Sequence, residues 1–159
     1  MRAFFDSNVV VYALAGEDDR RRGMALALLE KHAADNTLVL STQVLMETYN
    51  VLTRKKGASA ADTVLALRLL ARHEVVAPSA KAVLNALALA SEHGLSHWDA
   101  LIVQAAVDAG CEVLWSEDMQ ADRRFGELHV INPFVATLHE PGVKSKVQRT
   151  PRKKASRSP

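Results

Sequence analysis

Short apolar runs alternate along the chain with longer segments in which apolar residues recur at helical spacing. Strands are predicted for the short runs, at residues 2–6, 37–40, 74–76, 112–115 and 129–131. Helices are predicted for the longer segments, at residues 8–14, 19–34, 42–56, 60–72, 79–93 and 96–109. Because strands that alternate with helices form parallel sheets, the pattern predicts an α/β fold whose mainly parallel sheet is covered on both faces.

The polar positions divide the chain into an acidic body and a basic tail. Residues 144–159 contain seven Lys or Arg and no acid, which leaves 13 basic and 18 acidic residues, a net charge of −5, in residues 1–143. Beyond about residue 140 there is almost nothing to bury. We therefore expect one domain over residues 1–137 and a disordered basic tail over residues 138–159.

Length and composition restrict the class of protein. A chain of 159 residues with 48% hydrophobic content suits a single domain with its own core. No apolar run reaches the roughly 18 residues that a membrane helix needs, and Asp6 interrupts the N-terminal apolar residues too early for a secretory signal. The single cysteine, Cys111, rules out an internal disulfide. These features predict a soluble cytoplasmic protein that does not enter a membrane.

Two aspartates follow predicted strands. Asp6 ends the first strand and Asp118 comes just after Val113-Leu114-Trp115. Ligands of open parallel sheets bind outside the carboxyl ends of the strands, where both side chains are expected. Taken alone, each is better explained as a turn or helix-capping residue, because Asp favours such positions.

Two further acids lie on predicted helices. Glu47 shares a helix face with Val44, Thr48 and Val51, and a buried carboxylate is costly unless it is paired or binds a cation. The alternative for Glu47 is a snorkelling side chain or a salt bridge, for example to the arginine at position 54.

Asp99 follows Ser96 at the spacing of a capping box and leads into a very apolar helix. Alone, this pattern indicates helix capping more often than chemistry, although the carboxylate should lie close to the core.

Together the four acids indicate a metal site. Clustered carboxylates repel one another, so such a cluster is plausible only around a hard cation, and oxygen ligands suit Mg²⁺ or Mn²⁺ rather than zinc. The six histidines show no zinc-binding spacing. No G-x-S-x-G elbow and no glycine-rich phosphate loop is present.

In the segments around these four acids the sequence resembles the PIN-domain family, which includes the VapC-type toxins of bacterial toxin–antitoxin modules. The resemblance runs in order from residue 1 to about residue 135. It is carried by Phe5-Asp6-Ser7-Asn8, Ser41-Thr42-Gln43-Val44-Leu45-Met46-Glu47, Leu95-Ser96-His97-Trp98-Asp99-Ala100-Leu101-Ile102, Trp115-Ser116-Glu117-Asp118-Met119-Gln120 and Val130-Ile131-Asn132-Pro133-Phe134.

The resemblance implies a three-layer α/β sandwich and metal-dependent hydrolysis of RNA phosphodiester bonds. Asp6, Glu47 and Asp99 fall on the family's three principal acids, and Asp118 falls on its more variable fourth acid. One or two Mg²⁺ ions, or Mn²⁺, are implied at these acids, where they polarise the phosphoryl oxygen and activate water. Asp99 and Asp118 are equal candidates for orienting or deprotonating that water.

The resemblance also suggests supporting residues. Ser116 falls on a hydroxyl position that helps to hold the site, and Asn8 falls on a polar position near Asp6. His97 could contact substrate, but it is better explained as a surface residue at a helix start.

Three functions compete. The first is a ribonuclease toxin silenced by an antitoxin protein, the second is an RNA-processing PIN nuclease without an antitoxin, and the third is a catalytically silent module that binds RNA or protein. The presence of all four acids argues against the third. A homodimer is a further expected partner, for which helices 60–72 and 79–93 could supply the face, although ordinary core packing explains them slightly better.

Overall fold

The computed structural model describes residues 1–135. The predicted basic tail over residues 138–159 lies outside the described residues, as do the last two residues of the predicted domain.

A six-stranded sheet runs through the described part of the chain. Its strands are β1 Ala3–Phe5, β2 Leu38–Ser41, β3 Glu74–Val76, β4 Val113–Trp115, β5 Arg124–Phe125 and β6 Leu128–Ile131. The order across the sheet is β3-β2-β1-β4-β6-β5, and only β5 pairs antiparallel, with β6. The predicted mainly parallel sheet is confirmed.

Six helices surround this sheet within residues 1–135. They are α1 Ser7–Ala15, α2 Asp19–Ala34, α3 Thr42–Arg54, α4 Ala60–Leu70, α5 Ala80–His93 and α6 His97–Asp108. The predicted α/β sandwich is confirmed. No helix of this described region is long and apolar enough to cross a membrane.

The local sequence explains most helix boundaries. Serines at positions 41, 59, 79 and 96 each cap a helix by accepting a hydrogen bond from a backbone N–H in its first turn. At the end of α5, Gly94 adopts a left-handed conformation with φ of 64°, which a residue without Cβ reaches at little cost.

Strand β5 is the element that the pattern did not predict. It contains only Arg124 and Phe125, and its register pairs Phe125 with Leu128 across a two-residue turn. Gly126 in that turn has a φ of 60°. Two residues are too few to show the alternation of apolar and polar side chains that identifies a strand in a sequence. Strand β5 is defined by its pairing with β6.

The central strand β1 positions the functional site. Ala3, Phe4 and Phe5 are fully buried, as expected for a parallel strand covered on both faces. The next two strands in sequence, β2 and β3, lie on one side of β1 in the sheet. The strand after them, β4, lies on the other side of β1. The carboxyl end of β1 therefore lies at a topological switch point, where open α/β sheets form their ligand crevices.

Candidate active site

Asp6 lies at the junction of β1 and α1. Its backbone N–H donates to the carbonyl of Trp115, which extends the pairing of β1 with β4. One carboxylate oxygen, Oδ1, accepts the backbone N–H of Ser7 at 2.6 Å, so that Asp6 caps α1. The other, Oδ2, accepts the hydroxyl of the fully buried Ser116 at 2.7 Å. The Asp6 side chain is thus held by Ser7 at the start of α1 and by Ser116 just after β4.

Burial raises the pKa of the Asp6 carboxyl from its ordinary value of 3.8 to about 6. The hydrogen bonds from Ser116 and Ser7 oppose this rise, because they stabilise the charged form. The negative charges of Glu47 and Asp118 raise the pKa further. These two acids therefore lie close enough to Asp6 to interact with it electrostatically.

Asn8 connects Asp6 with Asp118. Its Nδ2 donates to Oδ2 of Asp6 at 3.2 Å and to Oδ2 of Asp118 at 3.0 Å. Its Oδ1 accepts the backbone N–H of Glu117 at 3.2 Å. One amide side chain on α1 thereby fixes the loop that follows β4.

Glu47 reaches the same region from α3. The Ser7 hydroxyl donates to Oε2 of Glu47 at 2.8 Å, and Nε2 of Gln43 donates to Oε1 at 2.8 Å. Within residues 1–135 Glu47 has no ion pair, so the alternative of a salt bridge to Arg54 is not what the structure shows.

Asp99 lies at the start of α6. Its backbone N–H donates to the Ser96 hydroxyl at 3.0 Å, which confirms the predicted cap. Its half-buried carboxylate forms no hydrogen bond with any described residue. Gln43 Nε2 lies 3.3 Å from the carbonyl oxygen of Trp98, which holds the start of α6 beside Glu47.

Two residues of this network were not singled out by sequence reasoning. Ser7 and Gln43 together bind both oxygens of Glu47. Gln43 could have been found from its position four residues before Glu47, because such residues are neighbours on a helix. His97, considered as a substrate contact, is exposed at the start of α6 and forms no hydrogen bond with a described residue.

The donor set consists of oxygen ligands, which suit a hard cation. Among residues 1–135, however, no three His, Cys, Asp or Glu side chains lie close enough together to hold one metal ion in the arrangement shown. The Ser7 hydroxyl and the Asn8 amide lie between the acids. Asp6, Glu47 and Asp118 thus lie near one another, with Asp6 the most buried, but their carboxylates do not meet at one point. Asp99 lies at the start of α6, which Gln43 links to Glu47.

Two of the cavities that border these acids share the lining residue Ser7. One, of about 470 Å³, is lined by Ser7, Asn8, Glu17, Lys56 and Asp118 among others. The second, of about 380 Å³, is lined by Ser7, Glu47, Asn50, Val51, Arg54 and Lys55. Ser7 and Val51 line both cavities, so the two spaces adjoin at the acids.

Comparison with known proteins assigns the chain to a family. The model of the PIN domain matches residues 3–125. No curated protein sequence matches the chain.

Several solved structures share the fold. VapC20 of Mycobacterium tuberculosis, a toxin that cleaves the sarcin–ricin loop, is 24% identical with a TM-score of 0.59, over 73% of this chain and 89% of that one. A toxin–antitoxin complex from Klebsiella pneumoniae is 24% identical with a TM-score of 0.64, over 82% and 97%. VapBC2 of Rickettsia felis, bound to a DNA fragment from its promoter, is 24% identical with a TM-score of 0.60, over 82% and 97%.

Proposed function

Because the chain belongs to the PIN-domain family, a family of nucleases, we propose that it is a metal-dependent endoribonuclease and the toxin of a toxin–antitoxin module. The similarity to toxin structures is a similarity of fold. The contacts of the acids at the end of β1 support the proposed chemistry of RNA hydrolysis.

The observation that carries the proposal is an acid cluster without a cation. Asp6 is buried, its pKa is raised to about 6, and the charges of Glu47 and Asp118 add to that rise. None of these three acids forms an ion pair within residues 1–135. A buried carboxylate beside other negative charges is costly, and a bound divalent cation would supply a compensating positive charge.

The residues present fit such a cation by their chemistry. Asp6, Glu47, Asp99 and Asp118 would hold Mg²⁺, or Mn²⁺, through oxygen atoms, which these ions prefer. The Asn8 amide and the Ser7 hydroxyl now hold the carboxylates apart. The Ser116 hydroxyl holds Asp6 in place at the most buried part of this group.

When bound, the metal would polarise the phosphoryl oxygen and stabilise the leaving oxygen. Water must lose a proton as it attacks phosphorus, and a carboxylate of the crevice accepts that proton. We assign this role to Asp99 rather than Asp118, because the Asp99 carboxylate has no hydrogen bond to a described residue, whereas Asn8 donates to Asp118.

Metal-dependent cleavage tests the proposal directly. The purified full chain is incubated with total RNA in millimolar Mg²⁺, in millimolar Mn²⁺ and in excess chelator. We expect endonucleolytic fragments with either metal and none with chelator. Intact RNA under all three conditions would instead support a catalytically silent PIN module.

An antitoxin is the proposed protein partner. Glu47, which has no cation partner within residues 1–135, lines a cavity together with the exposed apolar side chains of Met46 and Trp98. An antitoxin segment would place an Arg or Lys among the acids and displace the metal. We expect the product of a neighbouring small open reading frame to co-purify with this chain and to inhibit cleavage. A product that does neither favours the RNA-processing nuclease.

A homodimer is the second proposed partner. The two helices considered for this role expose large apolar side chains: Val64, Leu65 and Leu69 on α4, and Val83, Leu84 and Leu87 on α5. Ordinary core packing therefore does not account for them fully. Sedimentation of the wild-type chain and of Leu84→Glu, which places a charge on this face, distinguishes a dimer from a monomer.

A further inference from the structure

Three consecutive cations end helix α3. Arg54 is the last helical residue, Lys55 is the C-terminal cap, and Lys56 follows. The backbone N–H groups of Lys55 and Lys56 both donate to the carbonyl of Val51, at 3.0 and 3.1 Å, which fixes the direction in which the chain leaves the helix. We call Arg54, Lys55 and Lys56 the basic end of α3. Favourable interaction with the helix dipole explains their presence in part.

Their position relative to the acids needs a further explanation. Lys56 lines the 470 Å³ cavity, which also contains Asp118. Arg54 and Lys55 line the 380 Å³ cavity, which also contains Glu47. The two cavities adjoin at Ser7, the residue that bonds to Glu47. The basic end of α3 therefore borders the acid crevice on both sides.

A nucleic-acid strand that reaches these acids needs positive charge nearby. Residues 1–143 carry a net charge of −5, and four acids line the larger cavity: Glu17, Asp18, Glu117 and Asp118. Among residues 1–135, Lys56 is the one Lys or Arg that lines it. Arg21 pairs with Asp18 and Glu117 and partly offsets their charges. Glu17 and Asp118 would still repel a phosphate, and binding to Lys56 would compensate that repulsion.

The three cations of the basic end of α3 are available to bind phosphate. Arg54 and Lys55 have no acidic partner within the described part of the chain. Lys56 Nζ lies 2.7 Å from Oε1 of Glu17, whose side chain is 84% exposed. An ion pair with such an exposed partner contributes little, so a phosphate can replace the Glu17 carboxylate at small cost.

We propose that the basic end of α3 binds RNA backbone phosphates on both sides of the cleaved bond. In the absence of RNA, Glu17 forms an ion pair with Lys56, and an RNA phosphate replaces the Glu17 carboxylate when RNA binds. The inference rests on the proposed function for the identity of the ligand. In this proposal the basic end of α3 holds the RNA strand, whereas the acids act on the scissile phosphate.

Binding without cleavage is the appropriate measurement. The full chain is titrated against a fluorescent single-stranded oligouridine of about 12 nucleotides, in chelator, over a series of salt concentrations. The variants are Lys56→Gln, the double variant Arg54→Gln/Lys55→Gln, and Glu17→Gln. Lys81→Gln is the matched control, because it removes one exposed positive charge from α5, away from both cavities.

Each lost phosphate contact should lower the slope of log affinity against log salt by about 0.7, which corresponds to about fourfold weaker binding near 0.15 M salt. We expect this for Lys56→Gln relative to Lys81→Gln, and twice the loss of slope for Arg54→Gln/Lys55→Gln. Glu17→Gln should bind RNA more tightly than wild type, because the competing carboxylate is gone. The double variant Glu17→Gln/Lys56→Gln should bind like Lys56→Gln.

The gain expected from Glu17→Gln cannot arise from misfolding, so it tests the proposal even if a cation variant is unstable. Equal binding by the α3 variants and Lys81→Gln would overturn the proposal. So would unchanged RNA binding combined with loss of the antitoxin, which would assign the basic end of α3 to a protein partner. Because chelator prevents cleavage throughout, a chain that never cleaves RNA can still pass or fail this test, so the two failures are distinguishable.

Discussion

The starts of helices α1 and α2 show how surroundings change the role of one residue type. Asp18 caps α2 and is exposed, and its Oδ1 accepts the backbone N–H groups of Arg20 and Arg21, both at 3.0 Å. Asp6 caps α1 but is buried, and its second oxygen is held by Ser116 at the end of β4. The Asp18 carboxylate contacts residues of its own helix, since its other oxygen lies 3.6 Å from Nε of Arg21 on α2. Asp6 also belongs to a crevice, because its helix follows the central strand.

Helices α4 and α6 repeat this contrast. Both begin with the same spacing, Ser59-Ala60-Ala61-Asp62 and Ser96-His97-Trp98-Asp99. In α4 the Ser59 hydroxyl accepts the Asp62 N–H and donates to the Asp62 carboxylate at 2.7 Å. In α6 the serine accepts the N–H, but the Asp99 carboxylate forms no hydrogen bond with a described residue. The Asp62 carboxylate is thus bound within its own cap, whereas that of Asp99 is not.

The largest expected effect separates Asp6 from Asp18. Asp6→Asn keeps the shape of the side chain and removes one charge, and we expect it to abolish Mg²⁺-dependent RNA cleavage. Asp18→Asn should keep Mg²⁺-dependent cleavage, because Asn caps a helix as well as Asp does. Although Asp18 lines the 470 Å³ cavity, it forms no hydrogen bond with any of the four acids, all of which lie within residues 1–135. Cleavage assays measure both, and thermal melts should show a smaller stabilisation by Mg²⁺ in Asp6→Asn. Wild-type cleavage by Asp6→Asn would reduce Asp6 to a capping residue.

A smaller effect should separate Asp99 from Asp62. If Asp99 accepts a proton from water, Asp99→Asn should slow cleavage by about 10²–10⁴-fold, with little change in stability. Asp62→Asn changes the same position of a matching helix start and should leave the rate unchanged. Single-turnover rates of the two variants provide the comparison. Equal rates would mean that both aspartates are structural.

The smallest effect concerns stability in the absence of metal. The pKa of Asp6 is raised from 3.8 to about 6, so between these pH values the folded state holds a proton that the unfolded state has lost. The free energy of unfolding therefore falls as pH rises through this window, by about 3 kcal/mol for the full shift. Asp6→Asn should lack this loss, and it should equal or exceed wild type in stability at pH 7.

Asp18→Ala provides the matched control for that measurement. It removes an ordinary cap and should cost about 0.5–2 kcal/mol. Denaturant titrations in chelator at pH 4 and pH 7 measure both variants. If Asp6→Asn loses stability at pH 7 as Asp18→Ala does, the carboxylate of Asp6 stabilises the apo fold and the argument for repulsion fails.

The sequence alone determined the order of elements and the fold class. Periodicity and apolar runs predicted five of the six strands of the described region, and serine and glycine at helix ends predicted boundaries such as those of α5. These features depend on neighbouring residues, so they can be read locally. The motifs around Asp6, Glu47, Asp99 and Asp118 supported the PIN-domain resemblance, which the family match confirms. The roles of these four acids as metal ligands stay predictions.

Only the tertiary structure decided what each acid contacts. Asp6 and Ser116 are 110 positions apart, yet they share a hydrogen bond because β1 pairs with β4. The role of Ser7, which bonds to Glu47 on another helix, likewise depends on how α1 packs against α3. The sequence cannot distinguish Ser59-Ala60-Ala61-Asp62 from Ser96-His97-Trp98-Asp99 as helix starts. The packing distinguishes them, because the Asp62 carboxylate is bound by its own cap, whereas the Asp99 carboxylate forms no hydrogen bond with any residue in the range 1–135. Gln43 links the start of α6 to Glu47.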